Sequence, residues 1–392
     1  MAKELVRVGF VALAAGMPCA AALAAEVVTT VIVPDAAHAP ETRKISLVSS
    51  VAVSPSGNRL WATWYTGVTD GEDSNNYCVL ATSTDEGRSW KEVLIADPDG
   101  AGPYRDFDPE VWVAPDGKLR WTWTERPTTL RSEDAKTRFP GRPHGLKSDR
   151  LAMLVLNAET EPAAPFPTPI FVGTGVMMCK PLALRSGRWL FPSAHWWSEN
   201  SSHVYATDDR GASFVDLGGA TLPPWVREFD EHNLVELKDG RLRVYMRTNS
   251  GPSGTWMAES ADGGKTWGET RPANFPHTNS RVFVRRLVSG SLLLVKNGPL
   301  DRDVGRKQMT AYLSDDDGAT WKGGLVLTEE TCAYPDGDQA PDGMIYLTYD
   351  NDRCGRQDIH LCRFTEADVL AKKNVSGKMV LDGRIYEKVR RD

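Results

Sequence analysis

Four copies of one octet constrain this chain more than any other feature. Ser314-Asp315-Asp316-Asp317-Gly318-Ala319-Thr320-Trp321 reads Ser-x-Asp-x-Gly-x-Thr-Trp, and related octets run from Ser83 to Trp90, Thr207 to Phe214 and Ser260 to Trp267. Each keeps an Asp, a Gly two positions on and an aromatic three positions later: Asp85/Gly87/Trp90, Asp209/Gly211/Phe214, Asp262/Gly264/Trp267 and Asp316/Gly318/Trp321. This is the chemistry of a tight turn between strands. The carboxylate accepts hydrogen bonds from N–H groups of its own turn. The glycine takes a positive φ that other residues resist, and the aromatic plugs the turn into an apolar layer. The last three copies begin at 207, 260 and 314, repeating every 53 and 54 residues. The gap from 83 to 207 is 124, which fits two longer repeats with one octet lost. A period of about 50 residues is what a four-stranded propeller blade needs.

The stretches between octets agree with that reading. Hairpin turns recur at Ala114-Pro115-Asp116-Gly117, Arg185-Ser186-Gly187-Arg188, Lys238-Asp239-Gly240 and Ser289-Gly290, each between short alternating apolar runs. Helical periodicity is nearly absent; Thr365 to Lys373 reads as one short helix capped by Thr365. The fold class is therefore all-β, and 392 residues with 41% hydrophobic content fill one propeller domain over residues 26–392. The stretches 127–150 and 160–170 read as irregular loops.

The ends and the charge limit the setting. Lys3 and Arg7 precede an apolar run from Val8 to Ala21, and Ala22-Leu23-Ala24 offers a cleavage site, so residues 1–25 read as a signal peptide and the expected location is periplasmic or secreted. The run is short for a membrane span and no other is long enough. Net charge is −6 with both signs interspersed, which argues against nucleic acid as a partner. Beyond the leader, Cys78, Cys179, Cys332, Cys354 and Cys362 are an odd number; Cys354 and Cys362 are spaced either to bridge a hairpin or to remain free. No Cys/His spacing reads as a metal site, and no cofactor is expected.

The octets match the Asp box, or bacterial neuraminidase repeat. The chain thus resembles the sialidase superfamily, which implies a six-bladed β-propeller of four-stranded antiparallel blades with Asp-box hairpins on its outer side. A second layer of resemblance lies between the octets. Glu231 precedes a hairpin ended by Arg247, and Arg306 stands before the strand into the last octet. Tyr334-Pro335-Asp336 resembles the segment holding the family's nucleophilic tyrosine, and Arg43 stands at a strand lead-in where a first arginine would fall. The resemblance implies Tyr334 and Glu231 as a nucleophile pair, with Arg43, Arg247 and Arg306 holding the substrate carboxylate. Asp73 or Asp70 is implied as acid/base, with Asp108 a further option or a substrate contact.

The physics of such a set is coherent. Three guanidiniums converging on a carboxylate give charge-assisted, partly bidentate hydrogen bonds. A carboxylate nucleophile would be repelled by an anionic substrate, whereas a tyrosine hydroxyl is neutral until a neighbouring Glu takes its proton. Sialidases are the Tyr-nucleophile exception among glycosidases. The implied activity is removal of a terminal acidic sugar, sialic acid first, from a glycan. The alternatives are action on another terminal or uronic-acid-containing sugar, as hydrolase or lyase, and non-catalytic glycan binding. The oligomeric state is left open.

Overall fold

The computed structural model describes residues 27–98, 100, 102–127, 149–196, 201–249 and 253–389. The leader expected at 1–25, and nearly all of the loop expected at 127–150, lie outside them. Antiparallel strands dominate. Three sheets have four strands each, one has five because Thr30–Ile32 adds to its edge, and one has seven. The expected six blades therefore do not appear as six separate sheets. The seven-stranded sheet is continuous through one strand, Lys322–Gln339. Its residues from Lys322 to Thr331 pair with Lys307–Ser314, and those from Cys332 to Gln339 pair with Ile345–Asn351.

The octets explain how the outer strands turn back. Each joins the third and fourth strands of its unit and uses the same bonds. In the first copy, Ser83 Oγ donates to Asp85 Oδ1 (2.7 Å), Gly87 N donates to Ser83 Oγ (3.0 Å), and Ser89 donates through N and Oγ to the two Asp85 oxygens (3.0 and 2.6 Å). Asp209, Asp262 and Asp316 repeat this set with their own neighbours. Gly87 has φ +83, and a Cβ there would lie 2.3 Å from Leu361. The lost octet is real: residues 158–169 join Arg150–Asn157 to Ile170–Thr174 without one. The short helix is Glu366–Ala371, with Thr365 and Asp368 forming a capping box.

Rows of buried aliphatic and aromatic side chains fill the spaces between neighbouring sheets, such as Val53, Leu60, Ala62 and Val79 against Tyr346, Ile359 and Leu361. First and last units are tied by Val51 N donating to Asp336 Oδ1 and Val53 N donating to Asp338 Oδ2, both at 3.0 Å. All five described cysteines are free thiols, so Cys354 and Cys362 do not bridge. No described helix is long and apolar enough to cross a membrane.

Candidate active site

Four of the innermost strands share one irregularity, and it builds the site. In Ile45–Val53, two residues, Val48 and Ser49, stand opposite the single Trp64. In Tyr104–Val113, Asp108 and Pro109 stand opposite Trp123. In Lys322–Gln339, Tyr334 and Pro335 stand opposite Tyr349. A wider bulge in Arg227–Glu236 sets Glu228 to Glu231 opposite Arg247. Val48, Asp108, Asp230 and Tyr334 all take positive φ, at 48, 48, 57 and 55°. Such backbone is costly for a residue with a Cβ and persists where surrounding structure enforces it. A bulge re-aims its side chain, so three units present one residue each at an equivalent position: valine, aspartate and tyrosine.

Around the Tyr334 hydroxyl the charges converge. Arg247 Nη1 donates to that oxygen at 3.2 Å and to Glu231 Oε1 at 2.8 Å, so one nitrogen bridges both expected partners. Arg306 Nη2 donates to the same hydroxyl at 3.3 Å. Asn279 holds both arginines: its Oδ1 accepts from Arg247 Nε at 2.8 Å and its carbonyl from Arg306 Nη2 at 2.9 Å. Among the described residues Arg306 has no carboxylate partner, and Glu231 Oε2 is buried with no hydrogen-bond donor. No direct hydrogen bond joins Tyr334 to Glu231. Tyr334, Glu231 and Arg247 are all buried, and the Arg247 guanidinium stacks on Phe229.

Three further groups belong to this cluster and were not singled out as site residues from the sequence. Arg281, fully buried, donates to the Tyr334 carbonyl at 3.5 Å. Arg353 lies over the Tyr334 ring at 5.0 Å, matching Arg306 at 5.1 Å. Glu72 accepts from Arg353 Nη2 at 2.5 Å. The signal for Arg353 was available: it stands just past the end of a unit's second strand, Ile345–Asn351, as Arg247 stands near the end of Leu242–Thr248.

The other expected residues divide. Asp108 is buried, and among the described residues no donor reaches its carboxylate. Burial pushes its pKa up to about 7, against the pull of Arg105 and with the help of Glu72 and Glu231. Asp73 is a turn residue: it accepts from Thr69 Oγ1, Asn75 N and Asn75 Nδ2, and these bonds hold it below the usual carboxylate range despite partial burial. Asp70 is exposed on the same loop. Arg43 does not join the arginines around Tyr334. Its guanidinium is closed by Glu92 (2.6 Å from both Nη atoms), by the His38 carbonyl at 2.7 Å and by the Tyr77 hydroxyl at 3.2 Å. A strand lead-in lies outside the bulge, which is why its side chain packs at the edge of its own sheet.

Under Tyr334 the axis is polar. Lys180 Nζ donates to Glu110 Oε1 at 2.9 Å, Asp336 Oδ1 at 2.7 Å and Ser50 Oγ at 3.0 Å, joining three sheets. A cavity of about 500 Å³ opens beyond, lined by Trp112, Lys180, Asn233, Phe283 and Arg285 near the hairpin turns; it shares no residue with the Tyr334 cluster. Among the described residues no cluster of His, Cys, Asp and Glu is arranged to hold a metal ion.

Comparison with known proteins agrees with this architecture. A BNR repeat-like domain model matches residues 156–347. A sialidase of Micromonospora viridifaciens is 30% identical over 130 residues, covering 31% of this chain and 20% of that protein. Among solved structures, the leech intramolecular trans-sialidase superposes with a TM-score of 0.63 at 15% identity, covering 88% of this chain and 71% of that one. The NanB sialidase of Streptococcus pneumoniae gives 0.61 at 15%, covering 84% and 70%. At these identities the structural likeness is one of fold. The chain thus carries a BNR repeat-like domain over residues 156–347 and shares the propeller fold of these sialidase structures.

Proposed function

We propose that this chain is an exported exo-glycosidase that removes a terminal acidic sugar, most simply an α-linked sialic acid, with retention through a tyrosyl-linked intermediate. The observation that carries this reading is the meeting of Arg247, Arg306 and Glu231 at the hydroxyl of a tyrosine forced into positive φ. Arg306, which lacks an acidic partner among the described residues, and Arg247 hold the substrate carboxylate. The Tyr334 oxygen attacks the anomeric carbon while Glu231 takes its proton, and the bond to the leaving oxygen breaks. Arg247 and Arg306, both within hydrogen-bond reach of the hydroxyl, face the negative charge that develops on its oxygen during the step. Water then attacks the anomeric carbon, giving its proton to the carboxylate that had protonated the leaving oxygen, while Tyr334 leaves and recovers its proton from Glu231.

Proton donation to the leaving oxygen falls to Asp70 or Asp108. Asp73 is tied into its turn and is a poor donor. Asp108 is protonated up to about pH 7 because burial disfavours its charge. If Asp108 is the acid, kcat falls above about pH 7 and Asp108→Asn removes that limb; if Asp70 is the acid, the limb persists in that variant.

The same reading counts six blades. The seven-stranded sheet is taken as two that share Lys322–Gln339, as outer strand of one and inner strand of the next. The position of Arg43 favours a second substrate reading, a terminal uronic acid, because the expected first arginine is engaged elsewhere.

The test is release of 4-methylumbelliferone from its α-sialoside by wild type and by Tyr334→Phe. Turnover lost in the variant supports substrate and nucleophile. Turnover kept in the variant overturns the role of Tyr334, and none by folded wild type overturns the substrate.

A further inference from the structure

The first unit's bulge brings only the uncharged Val48 to the axis. A cation is supplied by the last unit instead. Asp350 lies beside Arg353 (Oδ2 to Nη1, 3.4 Å), and its carboxyl also accepts from the Val48 amide. With one nitrogen anchored there, Arg353 extends over the Tyr334 ring. Its Nη2 meets the Tyr65 hydroxyl at 3.4 Å and Glu72 Oε1 at 2.5 Å. The two acids differ in kind. Asp350 is fully buried on a strand, whereas Glu72 sits on the loop after Leu60–Gly67, with 36% of its side chain exposed.

We propose that Arg353 is a carboxylate-binding, specificity-determining residue of this site and that Glu72 is its built-in competitor. Resting on the reading above, this deepens it: Glu72 occupies the exchangeable face of the guanidinium until a substrate carboxylate replaces it. The exchange swaps one ion pair for another, so no charge is left buried and unpaired. It costs little because Glu72 returns to water and to Arg105, whose Nη1 stands 3.7 Å from Glu72 Oε2. A planar guanidinium anchored at one edge by a buried acid and held at the other by a displaceable one suits bidentate recognition of an incoming carboxylate. A neutral sugar offers nothing to displace Glu72, so the pair selects for acidic sugars.

The experiment uses the full chain and three probes: N-acetylneuraminic acid, D-glucuronic acid and the neutral N-acetylmannosamine. Binding is measured by calorimetry for wild type, Arg353→Met, Arg353→Lys and Glu72→Gln, beside turnover of the α-sialoside. Arg353→Met is expected to weaken acidic-sugar binding about 10- to 100-fold, the range for one lost charge-assisted hydrogen bond. Glu72→Gln is expected to tighten it by about 3- to 10-fold, since a weak surface-type pair no longer competes. The neutral sugar is unaffected in both. A merely structural ion pair predicts the opposite sign for Glu72→Gln, and that result overturns the inference. If Arg353→Met does not fold, Arg353→Lys and Glu72→Gln carry the test.

Turnover of the sialoside with Arg353→Met unchanged sinks the inference and leaves the sialidase reading standing. Glucuronate binding that depends on Arg353, without sialoside turnover, does the reverse. Binding of neither acid by wild type overturns both.

Discussion

The outer octets and the inner bulges are both departures from regular sheet, and they treat their carboxylates in opposite ways. In the octets, Asp85, Asp209, Asp262 and Asp316 each accept at least three hydrogen bonds from their own turn, which lower their pKa to about 2. At the axis, burial raises Asp108 and Asp230 to about 7 and Asp350 to about 6, and the nearby arginines only partly offset it. Oxygens of Asp230, Glu231, Asp336 and Asp350 are left without donors. Both regions hold non-glycine residues at positive φ: Glu86, Arg210 and Asp317 next to an octet glycine, and valine, aspartate and tyrosine at the bulges. One region satisfies its groups locally and stabilises the fold. The other gathers unsatisfied buried charge at the candidate site.

The sharpest way to break this comparison is to swap a carboxylate for its amide in each region. Glu231→Gln is expected to lower kcat/KM on the sialoside by at least about 1000-fold, as loss of an essential proton acceptor does. Asp316→Asn should leave kcat/KM within twofold of wild type. Equal losses in steady-state assays of folded protein would erase the distinction.

Arg43 tests the boundary between the regions. Its removal opens a buried ion pair with Glu92, so Arg43→Ala should cost about 3 kcal/mol of stability in denaturant titration. The folded fraction should keep its kcat/KM. A smaller effect is expected at the octet turn: Gly87→Ala forces a Cβ into αL backbone against Leu361, costing about 1–2 kcal/mol with activity unchanged.

The mildest signature is the dependence of stability on pH, where the two regions have opposite sign. A lowered folded pKa gives stability that is present above the unfolded value and lost on acidification. The octets therefore lose their contribution from about pH 4 down to about pH 2. A raised folded pKa gives stability that is full below the unfolded value and lost as pH rises through the folded one. The axis carboxylates therefore weaken the fold between about pH 4 and about pH 7. Replacing the four octet aspartates with asparagine should flatten the acid limb of a calorimetric Tm profile. Asp108→Asn should flatten the limb above pH 5. Identical profiles for both variants would contradict the assignment.

The same contrast explains what the sequence disclosed. An octet is satisfied within eight residues, so its meaning is local and repetition exposes it. Tyr334, Glu231, Arg247 and Arg306 were legible because each stands at a fixed offset from a hairpin or an octet. Arg43 misled because a strand lead-in and a bulge look alike in one dimension; only the pairing of Leu47 with Tyr65 and of Ser50 with Thr63 shows that Val48 holds the axis position. Glu72 and Arg353 meet across the closure between the first and last units, separated by 281 residues, and no local pattern encodes that contact. Asp73 looked like Asp70 until Thr69 and Asn75 were seen to bind it.

The most direct test of the central claim, that the bulge at Tyr334 carries a glycosyl-accepting nucleophile, is to trap the intermediate. The protein is incubated with a 2,3-difluoro sialic acid, whose C3 fluorine slows release of the glycosyl-enzyme, and its peptides are mapped by mass spectrometry. The account predicts one added sugar on the peptide containing Tyr334 in wild type and none in Tyr334→Phe. An adduct on another residue, or turnover of the sialoside with no adduct, would contradict it.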